Sequence, residues 1–326
     1  WLTGWMFLIE GNSYIKIGEY QKAVVAYQSA INLLPQGYDF IDKLFNKSGS
    51  ESNDLVKLAQ SFLDTQLKDA YLKAAETYLE LKQPQPSQAK SYYIEALLLT
   101  QNLEKISFTT INNKEIAGIY YGIARADLAL ENFEKAQELI ESAIELHKNY
   151  LPKLILSGGI SSTRVNIQYG YGVANQGSIS GGLDISSNNP WTNNPWEDDE
   201  DKDKYFWIEK TNSEEIERKA VESYFTDRQK YFDLYINILV QRHKKNPAQG
   251  FDILALEVSE RARINSLDIL QDLDSSTNLS SEKRRLFQRK LLLNQPISLK
   301  DIQQQVLEPN TLLLEYFLGE EKSYLW

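Results

Sequence analysis

The stretch from Gly11 to Pro35, GNSYIKIGEYQKAVVAYQSAINLLP, decides how this chain folds. Small residues stand at Gly11, Ala23 and Ala30, aromatics stand at Tyr14, Tyr20 and Tyr27, and Pro35 closes the segment. Small and large side chains at these offsets let two short antiparallel helices approach closely and interlock. Gly18 sits between them, where a helix ends and the chain reverses. A unit of this kind cannot bury its own apolar face and needs copies stacked beside it.

Two copies follow. The second has Tyr71, Ala75 and Tyr78, then Ala89, Tyr93 and Ala96, with a turn two residues longer that carries Pro84 and Pro86. Both prolines fit a loop and not a helix interior. The third has Tyr120, Ala124, Phe133, Ala136, Ile140 and Ala143, with Glu131-Asn132 where Gly18 was. The Gly11→Ala23→Ala30 spacing of 12 and 7 recurs as Ala124→Ala136→Ala143.

With these residues the chain resembles the tetratricopeptide repeat (TPR) family, whose 34-residue helix–turn–helix alternates small and aromatic positions in this way. The first copy, about Gly4 to Gly37, is the fullest match. The third departs from the pattern at Asp127, where an aromatic is usual, and near Lys148, where a proline is.

Composition narrows the function. The chain has 326 residues and a net charge of −10, which argues against nucleic acid or an anionic membrane surface as the main partner. No apolar run approaches the ~20 residues of a membrane helix, and a cytoplasmic location is the expectation. Cysteine is absent, which excludes a disulfide, a thiolate metal site or a cysteine nucleophile within these residues. His147 and His243 read as surface histidines near helix ends.

Along the chain, residues 1–150 read as TPR repeats. Between the first two, Asp39–Phe45 reads as an amphipathic turn, Asp54 as the N-cap of a separate helix, and 70–81 as another helix. Residues 151–205 read as an insertion: seven of the sixteen glycines lie between Ser157 and Gly182, and Arg164–Val173 alternates like a strand. Gly170-Tyr-Gly172 is too slight for a phosphate loop, with no helix following it. Pro190-Trp191, Pro195-Trp196 and the acidic run Glu197–Asp201 read as a solvated loop or a docking segment. Contiguous acidic residues do not suit an EF-hand. Thr211 and Glu214 form a capping box that opens a long helix to Lys245, and Ala255 and Ala262 mark its partner, so 206–293 reads as a terminal, divergent pair.

Ser259-Glu-Arg-Ala-Arg263 carries a second resemblance. It is similar to the end of the last repeat in TPR arrays of the CHAT family, a caspase-like peptidase group. Ser298-Leu-Lys-Asp-Ile-Gln303 and the apolar run Thr311–Phe317 follow in the order that resemblance implies. Thr311–Phe317 reads as a buried strand entering a hairpin with Tyr324–Trp326, so 296–326 reads as the start of an incomplete CHAT-like domain. The catalytic histidine and cysteine of such peptidases have no counterpart here, and no catalytic residue, cofactor or metal ligand is assigned.

The fold class is therefore mainly α: a TPR-like solenoid of helical hairpins with an inserted loop or β-hairpin, plus the initial strands of a C-terminal α/β domain. The TPR resemblance implies that the first helix of each pair lines a concave groove. That places Leu8, Asn12 and Lys16, then Leu72, Glu76 and Glu80, then Tyr121, Arg125 and Leu128 toward a protein or peptide partner. Leu8 stands where some TPRs use lysine to grip a carboxylate, which argues against that mode. The expected function is a protein-interaction module that positions or regulates a CHAT peptidase domain. A purely structural foundation for that domain, or a free-standing TPR scaffold, is the alternative.

Overall fold

The computed structural model describes residues 2–46, 53–107, 113–148, 200–263, 299–301, 303–304, 310–319 and 322–326. Its helices come in pairs, and each pair is fixed by its turn. Helix α1 (Leu2–Lys16) reaches α2 (Tyr20–Leu33) through a Schellman-type turn. The Glu19 amide donates to the Tyr14 carbonyl at 2.9 Å and the Gly18 amide to that of Ile15 at 3.0 Å, with Gly18 at φ 76°. Both bonds satisfy carbonyls that a helix end leaves without partners.

Helix α3 (Gln36–Asn46) then leads to α4 (Asn53–Glu80) and α5 (Pro86–Ser107). Here the closing bond runs from the Gln85 amide to the Tyr78 carbonyl at 3.0 Å, which accommodates the longer turn. Pro86 opens α5 instead of lying in the loop, a position where its missing N–H costs nothing. Between α6 (Asn113–Ala129) and α7 (Phe133–Lys148) the first turn is repeated. Asn132 donates to the Asp127 carbonyl at 2.8 Å and Glu131 to that of Leu128 at 3.0 Å. Glu131 holds the left-handed position at φ 60°, as its alignment with Gly18 predicts. Helices α8 (Glu200–Lys245) and α9 (Phe251–Arg263) flank a 3-10 turn, Pro247–Gln249.

By its contacts the chain divides into two compact units: Trp1–Lys148 with Lys230–Ile264 and Gln295–Trp326, and Asn149–Gln229 with Asn265–Asn294. In the second, Tyr224 is buried edge-on to Phe225, ring centroids 5.4 Å apart. The first contains three apolar clusters. One joins Leu8, Ala23, Tyr27, Ala30 and Leu34 to Leu67, Ala70 and Ala74 of α4. Another joins Val24, Ala75, Tyr78, Ala89 and Tyr93 to Ile119 and Ile123 of α6. The third joins Ala117, Ala124, Ala136, Ile140 and Ala143 to Tyr231–Leu239 of α8 and to Ala255, Val258 and Ala262 of α9.

Every small residue singled out in the three copies is buried. Two glycines show why. A Cβ at Gly11 would stand 2.5 Å from the Tyr27 ring, and one at Gly122 only 2.3 Å from the Tyr93 ring. Each tyrosine occupies the space that the glycine leaves open.

The C-terminal hairpin pairs β1 (Tyr316–Leu318) with β2 (Ser323–Leu325), antiparallel, with Phe317 opposite Tyr324. Glu315 and Trp326 exchange both backbone bonds at 2.9 Å. Its inner face rests on α8 and α9: Phe317 joins the third cluster, and Tyr324 and Trp326 pack against it. The Trp326 indole N–H donates to the Asp252 carbonyl at 3.1 Å. The buried Ser259 hydroxyl lies 2.7 Å from Glu315 Oε1 and 2.8 Å from the Leu256 carbonyl, so its single proton is shared. Glu315 is itself buried, and the Ser259 hydroxyl supplies its carboxylate with a hydrogen-bond donor.

Several expectations need correction. Asp39–Phe45 is part of helix α3, and the separate helices expected from Asp54 and over 70–81 are one helix, α4. Nothing between Leu55 and Ala70 breaks the 3.6-residue pattern, so the helix continues. Helix α8 starts at Glu200, which places Thr211 and Glu214 in its interior and not at a cap. Glu200 and Asp201, from the acidic run that reads as loop, belong to its first turn. Tyr20 is exposed and outside the core. His147 is not a surface residue but is buried, its ring edge-on to Tyr231 at 5.1 Å. Thr311–Phe317 is not a buried strand: Leu312, Leu313 and Leu314 precede β1 and are exposed, and within β1 Tyr316 and Leu318 face outward while only Phe317 faces the helices. Residues 151–199 of the expected insertion and residues 264–293 of the expected terminal pair lie outside the described residues, whereas 200–205 belong to α8.

Candidate functional site

Helices α4 and α6 pack side by side as the first members of successive pairs. Four-residue spacing aligns Leu72, Glu76 and Glu80 on α4, and Tyr121 and Arg125 on α6. The structure brings these two sets together. Arg125 Nη2 lies 2.8 Å from Glu80 Oε1, and its guanidinium stands over the Tyr121 ring at 5.8 Å. The Tyr121 ring is tilted against Tyr231 of α8, centroids 5.2 Å apart, and Tyr231 in turn meets His147.

Electrostatics knit the same residues. Burial pushes the Tyr93 phenol up, helped by the charge of Glu76, so this hydroxyl stays neutral under the charged layer. Glu76 is open to solvent, yet it is ringed by enough protein that desolvation raises its carboxyl above the usual range. Lys73, Arg125 and Lys230 oppose that shift and Asp69 adds to it. Among the described residues Glu76 makes no hydrogen bond or ion pair. Asp69 is likewise raised, first by desolvation, against Lys73 and Lys68.

The remaining expected site residues sit elsewhere. Leu8 is 3% exposed and belongs to the first cluster, because α4 as well as α2 packs on α1, so it has no free surface for a partner. Asn12 is half-buried, and its Oδ1 accepts the Tyr27 hydroxyl at 2.8 Å within its own pair. Lys16 is exposed in the last turn of α1. Leu72 and Leu128 are half-buried at the margins of the second and third clusters.

One arrangement is not evident from the sequence. Asp127, fully buried, accepts from Lys90 Nζ of α5 at 2.6 and 2.8 Å and from the Asn132 side chain at 2.9 Å. Half of its signal is visible, since Asp127 is the residue that departs from the repeat pattern. The need for a lysine on the preceding pair is not.

Among the described residues there is no group of acidic or histidine side chains placed to hold a metal ion, and no helix is long and apolar enough to cross a membrane. The α4–α6 face carries an aromatic ring, a clamped ion pair and an open carboxylate on two helices. No curated protein matches the chain. Residues 117–150, which hold most of α6, its turn and α7, match the tetratricopeptide repeat family model, so a tetratricopeptide repeat occupies the third pair, the copy that departs furthest from the pattern.

Proposed function

We propose that this chain is a protein-interaction module whose α4–α6 face takes a segment of a partner protein, and that it positions or regulates a C-terminal domain of CHAT peptidase type. The presence of a TPR supports the first half at the level of protein binding. The observation that carries the specific face is the convergence of Glu76, Glu80, Tyr121 and Arg125 from two repeats, half-buried or open and fixed by the Arg125–Glu80 pair. Rigid aromatic and arginine side chains on such a surface are the usual anchors of protein interfaces.

The hairpin supports the second half. The outward side chains Leu314, Tyr316, Leu318 and Leu325 are apolar and exposed, and a two-stranded piece with such a face is marginal by itself. The Ser259–Glu315 contact ties it to the helix that carries the CHAT-like run. The test of the binding face is Tyr121→Ala with Arg125→Glu in the full-length protein. Loss of the captured partner is the expected result, and unchanged capture removes the face from the account. For the domain, a natural transcript that encodes a histidine and a cysteine after Trp326 is expected, whereas a stop codon there removes the peptidase half.

A further inference from the structure

The charges on the α4–α6 face are not equally occupied. Arg125 is engaged by Glu80 at 2.8 Å, and Lys68 is paired with Glu115 further along α4. Lys73 is buried. Glu76 is the carboxylate left open to solvent without a bonded partner, one turn from both Leu72 and Glu80 and within electrostatic reach of Arg125 and Lys230. Those cations do not compensate it, because the loss of water around it still outweighs them. A carboxylate in this state gains most from a cation that arrives with its own hydrogen-bond donors and displaces the remaining water. Beside it, Leu72, Tyr121 and Leu128 present partly open apolar surface.

We infer that the partner segment carries a single lysine or arginine flanked by apolar residues, and that this basic group pairs with Glu76 while its neighbours lie on Tyr121 and Leu72. This rests on the α4–α6 face being the binding face. It specifies the opposite polarity from recognition of an acidic tail, for which Arg125 would have to be released from Glu80.

The test uses the whole 326-residue chain and a phage-displayed library of random dodecapeptides. Peptides selected on the unaltered protein should be enriched in one Lys or Arg with apolar neighbours, and should bind Glu76→Gln about tenfold more weakly in low salt, as for a partly desolvated charge pair. Glu76→Lys should turn the enrichment toward Asp and Glu. Because the chain is acidic throughout, Glu138→Gln on α7 serves as control: it removes the same charge from an exposed site and should leave the enrichment intact. Selection without a basic residue, or a basic residue equally favoured on Glu76→Gln, overturns the inference. If Tyr121→Ala fails to weaken the selected peptides, or no peptide is selected at all, the binding face itself is wrong and the inference falls with it.

Discussion

The first and third helical pairs close on the same turn with different residues. In the first, Gly18 takes the left-handed position with nothing within 4 Å of where a Cβ would stand. In the third, Glu131 takes it, and its carboxylate reaches Lys245 at 2.8 Å, a contact that also lowers its pKa, chiefly through the hydrogen bond. Where the first pair has the half-buried Tyr14, the third has Asp127 bonded to Lys90. The geometry of a pair thus survives the loss of its usual residues when each replacement acquires a partner in a neighbouring element. Divergence here fastens one pair to the next.

The strongest way to break this comparison is Asp127→Ala. It leaves Lys90 and Asn132 without their acceptor, and loss of one member of a buried pair costs about 3–5 kcal/mol. Urea unfolding measures it, and a loss below about 1 kcal/mol would show that the pair does not depend on this contact.

Next come the interlocks. Ala30→Leu and Ala143→Leu should each cost roughly 1–3 kcal/mol if the two pairs are built alike, since both sites are fully buried. Clearly unequal costs would separate the pairs. Gly122→Ala should fall in the same range, because Tyr93 must move. Gly118→Ala, on the same helix with only the Tyr231 hydroxyl at 4.0 Å, should instead stabilise by about 0.5–1 kcal/mol.

Smaller effects follow at the turns. Gly18→Ala should cost about 1 kcal/mol through backbone strain alone. Glu131→Gly should raise the melting temperature slightly, because it removes a side chain from φ 60°. A fall would mean that the Lys245 contact outweighs the strain.

The smallest effect is a dependence on pH. The folded pKa of Glu76 is raised, so the native state holds its proton more tightly than the unfolded chain does, and stability is lost as pH climbs through that raised value. Glu76→Gln should therefore be slightly more stable than the unaltered protein at pH 7. That advantage should vanish below the ordinary carboxylate range. An advantage that grows on acidification would reverse the assignment.

Much of this architecture is legible in the amino-acid sequence alone. The spacing of Ala23, Tyr27, Ala30 and their copies depends only on local helix geometry, and so does the equivalence of Gly18 and Glu131. Which of the expected site residues meet is half legible: Glu80 and Arg125 lie on adjacent first helices, whereas Leu8 is buried because α4 packs closely on α1. The boundaries that fail, at Asp54 and Thr211, rest on capping signals, which a longer continuous pattern overrides. His147 is misplaced by its local context because nothing nearby announces Tyr231, far along the chain.

That third cluster has a kinetic consequence. The first two pairs make their contacts between neighbours in sequence, but the third is completed by bonds such as Tyr235–Glu141 and Lys245–Glu131, across separations of 94 and 114 residues. Closing a loop of that size precedes any reward from the contacts it allows. The chain should therefore fold from its N-terminal end in a fast phase and complete the Tyr231–Leu239 seat in a slower one. During synthesis the third pair must wait, with Ile140 and Ala143 uncovered, until α8 has been made.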